Sequence, residues 1–315
     1  MVSALGLGMA GMSGAYGPSD EAESLATIHA ALDAGITLLD TADFYGTGHN
    51  EWLIHEALRD RGRDGVEISL KFGSLRDPAG GWGGQDGRPE AVRNFLTYSL
   101  RRLGVDHVDV YRPARLDPGV PIEDTVGVIA EMVQAGYVRH IGLSEVGADT
   151  VRRAQSVHPI VDLQIEYSLL SRGIEAEILP ACRELGIGIT AYGVLSRGLL
   201  SGSVSTAGGF RAHSPRFQGD NLAHNLSLVA ALGGVAESKG VTISQIAIAW
   251  VLAQGADIVA LVGARRRERL TEALAAPDVT LTPADLAAIE AAVPPGSAAG
   301  DRYAPAQMAQ LDSEA

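Results

Sequence analysis

Short apolar runs alternate with longer stretches of helical period along nearly the whole chain. Residues 36–39, Ile-Thr-Leu-Leu, are apolar or β-branched with no polar break, the pattern of a strand buried on both faces, and predict a strand over 36–40 that stops at the carboxylate of Asp40. Similar runs predict strands over 2–8, 66–71, 107–111, 137–144, 161–165, 187–192 and 258–262. Between them, apolar residues at helical spacing predict helices over 19–34, 50–59, 89–103, 122–134, 148–157, 175–185, the pair 223–239 and 244–253, and 267–275. Ser19-Asp-Glu-Ala-Glu offers an N-cap with acids in the first turn of the first helix, and Gly35 closes it. The result is eight β-then-α units.

Eight strands alternating with helices predict an α/β fold in which a parallel sheet closes into a (β/α)8 TIM barrel, and 315 residues suit that fold with modest additions. A doubly wound open sheet is the alternative. Against it, Gly6, Gly8, Gly11 and Gly14 lead into a loop, with no acidic residue at the end of a following strand in a ribose-binding context. The connections favour the barrel as well. Segments after strands are long and varied, notably 72–88 and 193–221, whereas helix-to-strand connections are short. Such long loops build the active face of a barrel. The chain reads as one domain over 1–315, with a tail over 294–315 that has no periodicity and either lies over that face or is disordered.

A hydrophobic content of 46% is ample for a full core, and the net charge of −13 argues against nucleic acid or an anionic membrane as partner. The single cysteine, Cys182, excludes an internal disulfide, and the histidines are scattered without ligand spacing, so no metal is expected. No apolar run approaches membrane-spanning length and no signal-peptide pattern opens the chain, which makes a cytoplasmic location the expectation. Oligomeric state is not legible.

The candidate chemistry gathers at strand ends. Asp40 ends one strand, Lys71 ends the next, and Tyr45 lies in the glycine-punctuated loop between them. A phenol with an ordinary pKa of about 10 transfers protons poorly at neutral pH, and an adjacent ammonium is expected to lower it, with Asp40 keeping Lys71 charged. Trp82, in the glycine-rich segment 79–84, is a candidate substrate wall. The basic run 265–269 follows the last strand, where barrels bind phosphate.

The segments Leu39-Asp-Thr-Ala-Asp-Phe-Tyr-Gly, Ser69-Leu-Lys-Phe-Gly, Asp109-Val-Tyr-Arg, Ile141-Gly-Leu-Ser-Glu, Gln164-Ile-Glu-Tyr-Ser-Leu-Leu and Val262-Gly-Ala-Arg-Arg, in this order and spacing, resemble the aldo-keto reductase superfamily over almost the whole chain. The resemblance implies a barrel that binds NADPH without a Rossmann domain and reduces a small-molecule carbonyl, with hydride going to carbon and a tyrosine proton to oxygen. On it, Tyr45 is the proton donor, tuned by Lys71 and Asp40. Ser144 and Gln164 are expected to hold the nicotinamide carboxamide, and Tyr192 to floor the ring. Gly193, Leu195 and Gly198 belong to the segment that wraps the pyrophosphate. Gly11 and Met12 add to the cofactor site, and Gly263, Arg265, Arg266, Arg269 and Glu272 form its adenosine end.

The sequence departs from that family in several places. The histidine that polarises the carbonyl belongs where Ala114 stands, which leaves the role to Tyr45 alone, to Arg112 or Arg115, or to the substrate. Glu145 replaces the asparagine expected after Ser144; a carboxylate accepts from an amide NH2 but donates nothing to its oxygen. Ala273 stands where an adenine-contacting asparagine is expected. A strand beginning at Val2 leaves no residues for the N-terminal β-hairpin of many members, so the barrel floor is closed otherwise or a leader is missing. The expected function is NADPH-dependent reduction of aldehydes or ketones. The alternatives are a catalytically weak NADP(H)-binding regulatory subunit, or a related oxidoreductase that reduces C=C bonds or oxidises alcohols.

Overall fold

The computed structural model describes residues 2–204, 206 and 209–314. Its strands are β1 (Leu5–Gly8), β2 (Leu38–Ala42), β3 (Glu67–Phe72), β4 (Ser74–Arg76), β5 (Trp82–Gln85), β6 (Val108–Pro113), β7 (Val138–Ser144), β8 (Ile160–Glu166), β9 (Gly188–Tyr192) and β10 (Ile258–Gly263). Eight of them close a parallel barrel in the order β1-β10-β9-β8-β7-β6-β3-β2, and β4 and β5 form a separate two-stranded sheet. The open-sheet alternative is thereby excluded. Helices follow the barrel strands, and the apolar faces of both layers merge into one core.

Several boundaries differ from expectation for physical reasons. Strand β2 starts two residues late because the Thr37 amide is taken by the Ser3 hydroxyl, at 3.0 Å, and not by a neighbouring strand. It does not stop at Asp40: Thr41 and Ala42 continue the ladder opposite Leu70 and Lys71. The carboxylate therefore points from within a strand into the barrel. Strand β6 likewise runs on through Arg112 and Pro113. The first helix, Glu21–Asp33, is capped by Asp20, whose carboxylate accepts from the Glu23 amide at 2.7 Å, and not by Ser19, whose hydroxyl bonds to the Met12 carbonyl. The β4–β5 hairpin lies within the segment read as loop, where glycines obscure the alternation that marks a strand. An additional helix, Pro283–Ala292, begins with a Thr282–Asp285 capping box. No hairpin precedes β1 among the described residues.

The barrel interior is polar along one path. Arg112, fully buried, sends Nη2 to Ser69 Oγ at 3.0 Å and to Asp162 Oδ2 at 3.0 Å, and Thr190 Oγ1 donates to the same Asp162 oxygen at 2.5 Å. Gly142 on β7 makes room for this guanidinium. A Cβ there would stand 2.6 Å from Asp162 Oδ1, 2.9 Å from Val110 Cγ1 and 3.1 Å from Arg112 Cζ. Gly142→Ala is expected to destabilise the fold by about 1–3 kcal/mol, the usual cost of overpacking a fixed interior. Urea denaturation measures it, and an unchanged midpoint would show that the pair can shift freely.

Candidate active site

The ladder sets Ala42 opposite Lys71, so the carboxylate of Asp40 and the ammonium of Lys71 meet inside the C-terminal end of the barrel, both buried. Lys71 Nζ donates to Asp40 Oδ1, while Ser69 Oγ, at 2.9 Å, and Gln164 Nε2, at 2.6 Å, donate to Oδ2. Tyr45 begins a tight turn whose next two residues, Gly46 and Thr47, are left-handed at φ 57° and 52°. That turn folds the half-buried phenol back over the pair, with Lys71 Nζ 5.1 Å from its ring centre. Phe44 meets Tyr45 edge-on at 5.1 Å and Trp82 at 5.8 Å, so the β4–β5 hairpin brings Trp82 to the wall beside the phenol.

The expected lowering of the Tyr45 pKa is not found. Burial first, and then the Asp40 carboxylate, hold the phenol well above its ordinary value, and Arg115 acts in the opposite direction. The geometry adds to this: Lys71 directs one of its N–H donors to Asp40 and faces the ring of Tyr45. Burial also lowers Lys71, against the pull of Asp40. A phenol so placed keeps its proton at neutral pH and can donate it to an acceptor more basic than itself.

Ala114 follows β6, buried, its amide bonded to the Phe72 carbonyl at 2.8 Å. The two neighbouring arginines part company. Arg112 lies inside the barrel beneath Ser69 and does not reach the mouth, which removes it from the substrate-facing set. Arg115 is half-buried at the mouth, with Nη1 donating to the Ala114 carbonyl at 2.6 Å.

Ser144 ends β7 opposite Gln164 on β8, and its buried hydroxyl has no hydrogen-bond partner within the protein. Glu145 is left-handed at φ 55° and fully buried. Its Oε1 accepts from Tyr192 Oη at 2.6 Å, Arg302 Nη1 at 2.8 Å and the Glu166 amide at 3.0 Å; its Oε2 accepts from Arg302 Nη2 at 2.5 Å and Ser313 Oγ at 2.7 Å. The tail therefore lies over the active face. Asp312 bonds the Gly147 amide at 2.8 Å, and Tyr303 meets Tyr192 hydroxyl to hydroxyl at 2.9 Å. Since Tyr192 gives its proton to Glu145, Tyr303 is the donor in that contact. Arg302, Tyr303 and Ser313 were not among the expected site residues. The signal in the sequence was Glu145 itself, because a carboxylate at the end of a buried strand requires a cation.

The loop after β9 turns on Gly193, at φ 66°, and then on three consecutive left-handed residues, Ser196, Arg197 and Gly198, at φ 47°, 56° and 95°. Such conformations are strained for Ser and Arg, and strain of this kind marks ligand clamps. The Leu195 carbonyl accepts from the amides of Gly198 and Leu200 within it. Beyond β10, which ends at Gly263, Arg265 packs against Gly11 and donates to the carbonyls of Tyr16, Gly17 and Pro18, so it ties two loops together. Met12 is buried beneath that junction. Arg269 pairs with Glu272 at 3.0 Å, and Arg266 pairs with no described carboxylate. Among the described residues no cluster of ligating side chains could hold a metal ion, and no single helix is long and apolar enough to cross a membrane.

The family model described as "Aldo/keto reductase family" matches residues 4–294. The chain belongs to that family. "Probable aldo-keto reductase 1" of Glycine max is 43% identical over 310 residues, which span 96% of this chain and 88% of that protein. Among solved structures, the glycerol dehydrogenase AKR11B4 from Gluconobacter oxydans superposes with a TM-score of 0.84 at 30% identity, covering 92% of this chain and 91% of its own. An aldo/keto reductase from Klebsiella pneumoniae, in complex with NADP and acetate, superposes with a TM-score of 0.73 at 26% identity, covering 93% and 92%. The chain is thus an NADP-dependent oxidoreductase of the aldo-keto reductase family.

Glu145 offers a direct test of the tail contact. Burial pushes its carboxyl upward, but the Arg302 hydrogen bonds and charge outweigh this and hold it down to about 2, from an ordinary 4.5. A lowered carboxyl pKa stabilises the fold above the ordinary value, and that contribution fades as pH falls towards the folded value. Glu145→Gln is expected to cost about 3–5 kcal/mol near neutral pH, as for a buried pair that loses one member. The gap should close between pH 4.5 and about 2. Urea denaturation at stepped pH measures it; a gap that does not change with pH would remove the charge as its cause.

Proposed function

We propose that this aldo-keto reductase reduces aldehydes or ketones with NADPH, and that Tyr45 donates the proton. The observation that carries the reading is the Tyr45 phenol folded over the buried Asp40–Lys71 pair, where burial raises its pKa. The reduced dinucleotide, when bound, supplies the hydride that the carbonyl carbon receives. Tyr45 hydrogen-bonds the carbonyl oxygen and gives up its proton as alkoxide character develops, a transfer to the stronger base. The charge of Arg115 steadies the phenolate left behind. Asp40, fixed by Ser69 and Gln164, keeps the ammonium in place.

The residues present fit the cofactor. The unpartnered Ser144 hydroxyl, buried at the end of β7, suits a carboxamide, and the strained turn at 196–198, its Ser196 and Gly198 amides held by the Gly193 and Leu195 carbonyls, shapes the loop proposed to meet the pyrophosphate. Glu145 does not serve the carboxamide, because both its oxygens are filled by the tail, Tyr192 and the Glu166 amide. Arg266 and Arg269 supply guanidinium groups for a 2′-phosphate, whereas Arg265 acts as a loop tie. One structural relative is named a glycerol dehydrogenase, and the same proton path run backwards oxidises an alcohol.

Tyr45→Phe should lower carbonyl reduction by about 10²–10⁴-fold while NADPH affinity stays within a few-fold. Steady-state kinetics over an aldehyde panel, run in both directions, with fluorescence titration of NADPH, measures both quantities. Retention of more than about a tenth of kcat/KM would remove Tyr45 as the acid. Arg266→Ala and Arg269→Ala should weaken NADPH selectively over NADH, by about 1.5–3 kcal/mol for a lost charge-assisted bond. If wild type binds both cofactors equally, the 2′-phosphate assignment fails.

A further inference from the structure

The catalytic reading uses only the charge of one group at the mouth and leaves most of its hydrogen-bond donors unspent. Arg115 has five N–H donors and spends one on its own neighbour's carbonyl. It forms no ion pair with any described carboxylate, although Glu145 is close enough to act on it electrostatically. The carboxylates at the strand ends have other partners: Glu145 is held through both oxygens by Arg302, Asp40 by Lys71, Ser69 and Gln164, and Glu166 by Arg216, at 3.5 Å, and Ser171. The tail thus takes both oxygens of Glu145 and leaves Arg115 with no carboxylate in direct contact among the described residues. Small, buried Ala114 adds no side chain that could reach the guanidinium.

The position of this cation matters. Ala114, one residue earlier, is bonded to Phe72, the neighbour of Lys71, so Arg115 opens beside the strand end that carries the ammonium. Its charge acts on Tyr45, Lys71 and Tyr192, and Tyr192 and Tyr303 act back on it. The guanidinium therefore lies within electrostatic reach of the proposed acid and of the Tyr192 and Tyr303 hydroxyls. A neutral substrate that displaced water here would strand a guanidinium, a costly outcome, whereas a carboxylate would pair with its fork in a bidentate fashion.

We propose that Arg115 anchors a carboxylate on the substrate, so that the chain acts on aldehydes or ketones that carry a carboxylate group. The anchor rests on the carbonyl-reduction reading for its substrate, but not for its ability to bind anions. While the carboxylate is held at Arg115, the carbonyl oxygen is presented to Tyr45. Orientation that relatives obtain from a histidine comes here from a group remote from the reacting bond, a recognised use of binding energy.

The test compares 4-carboxybenzaldehyde with methyl 4-formylbenzoate, a neutral analogue of similar reach, and measures benzoate binding to the full-length protein by calorimetry with and without NADP+. Wild type should favour the carboxylate in kcat/KM by about ten-fold or more, and Arg115→Gln should collapse that ratio towards one, mainly through KM. Arg115→Lys should keep part of the preference, because it retains the charge without the fork. Benzoate Kd should rise by about ten-fold or more in Arg115→Gln. A wild-type ratio near one, or an equal loss for both aldehydes in Arg115→Gln, overturns the anchor; the second result would make Arg115 a carbonyl polariser. If wild type reduces neither aldehyde, the carbonyl reading fails instead. The anchor then stands if benzoate affinity depends on Arg115 and falls if it does not. Should Arg115→Gln fail to fold, the ratio and the benzoate Kd are read on Arg115→Lys, and no change in either overturns the proposal.

Discussion

The carboxylate of Asp40 holds the centre of the molecule together. It is buried within a strand, and a lone carboxylate there would be neutralised or would unfold its surroundings. Its burial is compensated by three donors from two other strands that converge on it: Lys71 and Ser69 from β3, and Gln164 from β8. Those strands lie on different sides of the closed barrel, so Asp40 fixes their relative depth as well as their proximity. Below it, Ser69 accepts from Arg112, which pairs with Asp162, so one continuous polar path crosses the barrel axis. Such a network adds little net stability over an apolar filling, but it leaves few alternative registers in which every member is satisfied.

A second buried pair repeats this logic at the rim. Glu145 and Arg302 are as well hidden as Asp40 and Lys71, yet one partner comes from a segment with no apolar periodicity. The tail is ordered by charge and hydrogen bonding in place of an amphipathic face. Arg302 reaches Glu145 and Glu314, Asp312 caps the Gly147 amide, and Arg197 from the loop after β9 donates to the Arg302 carbonyl and stacks on Tyr303 at 4.0 Å. The tail thus joins the proposed carboxamide end of the site to the proposed pyrophosphate loop.

These features differ in how legible they were. Barrel strands are buried on both faces and helices on one, so their periodicities wrote the fold into the chain, and the closed order followed from the alternation. Asp40, Tyr45 and Lys71 were visible because a carboxylate, a phenol and an amine stood near consecutive strand ends. The electrostatics of Tyr45 were not, since whether Lys71 faces its hydroxyl or its ring depends on a left-handed turn at 46–47. Arg112 and Arg115 looked equivalent three residues apart; strand alternation and the continuation of β6 through Pro113 sent one inward and left the other at the mouth. Arg302 lies 157 residues from Glu145, and no local pattern encodes a pairing at that distance.

Ala114 supplies no hydrogen-bond donor from its side chain, so the charges around the proposed site set its field. The chain carries a net charge of −13, yet its strand ends are lined by Lys71, Arg115, Arg197, Arg216 and Arg302, against the carboxylates of Asp40, Glu145 and Glu166. Surface acids more than about 8 Å away are largely screened at physiological salt, whereas charges inside an apolar mouth are not. The field at the reacting oxygen is therefore set by this local excess of cations. In the proposed reduction, Arg115 eases the formation of the Tyr45 phenolate against burial and the Asp40 carboxylate, which hold the phenol up. Because the field arises from several fixed groups, it persists when a single hydrogen-bond donor is removed.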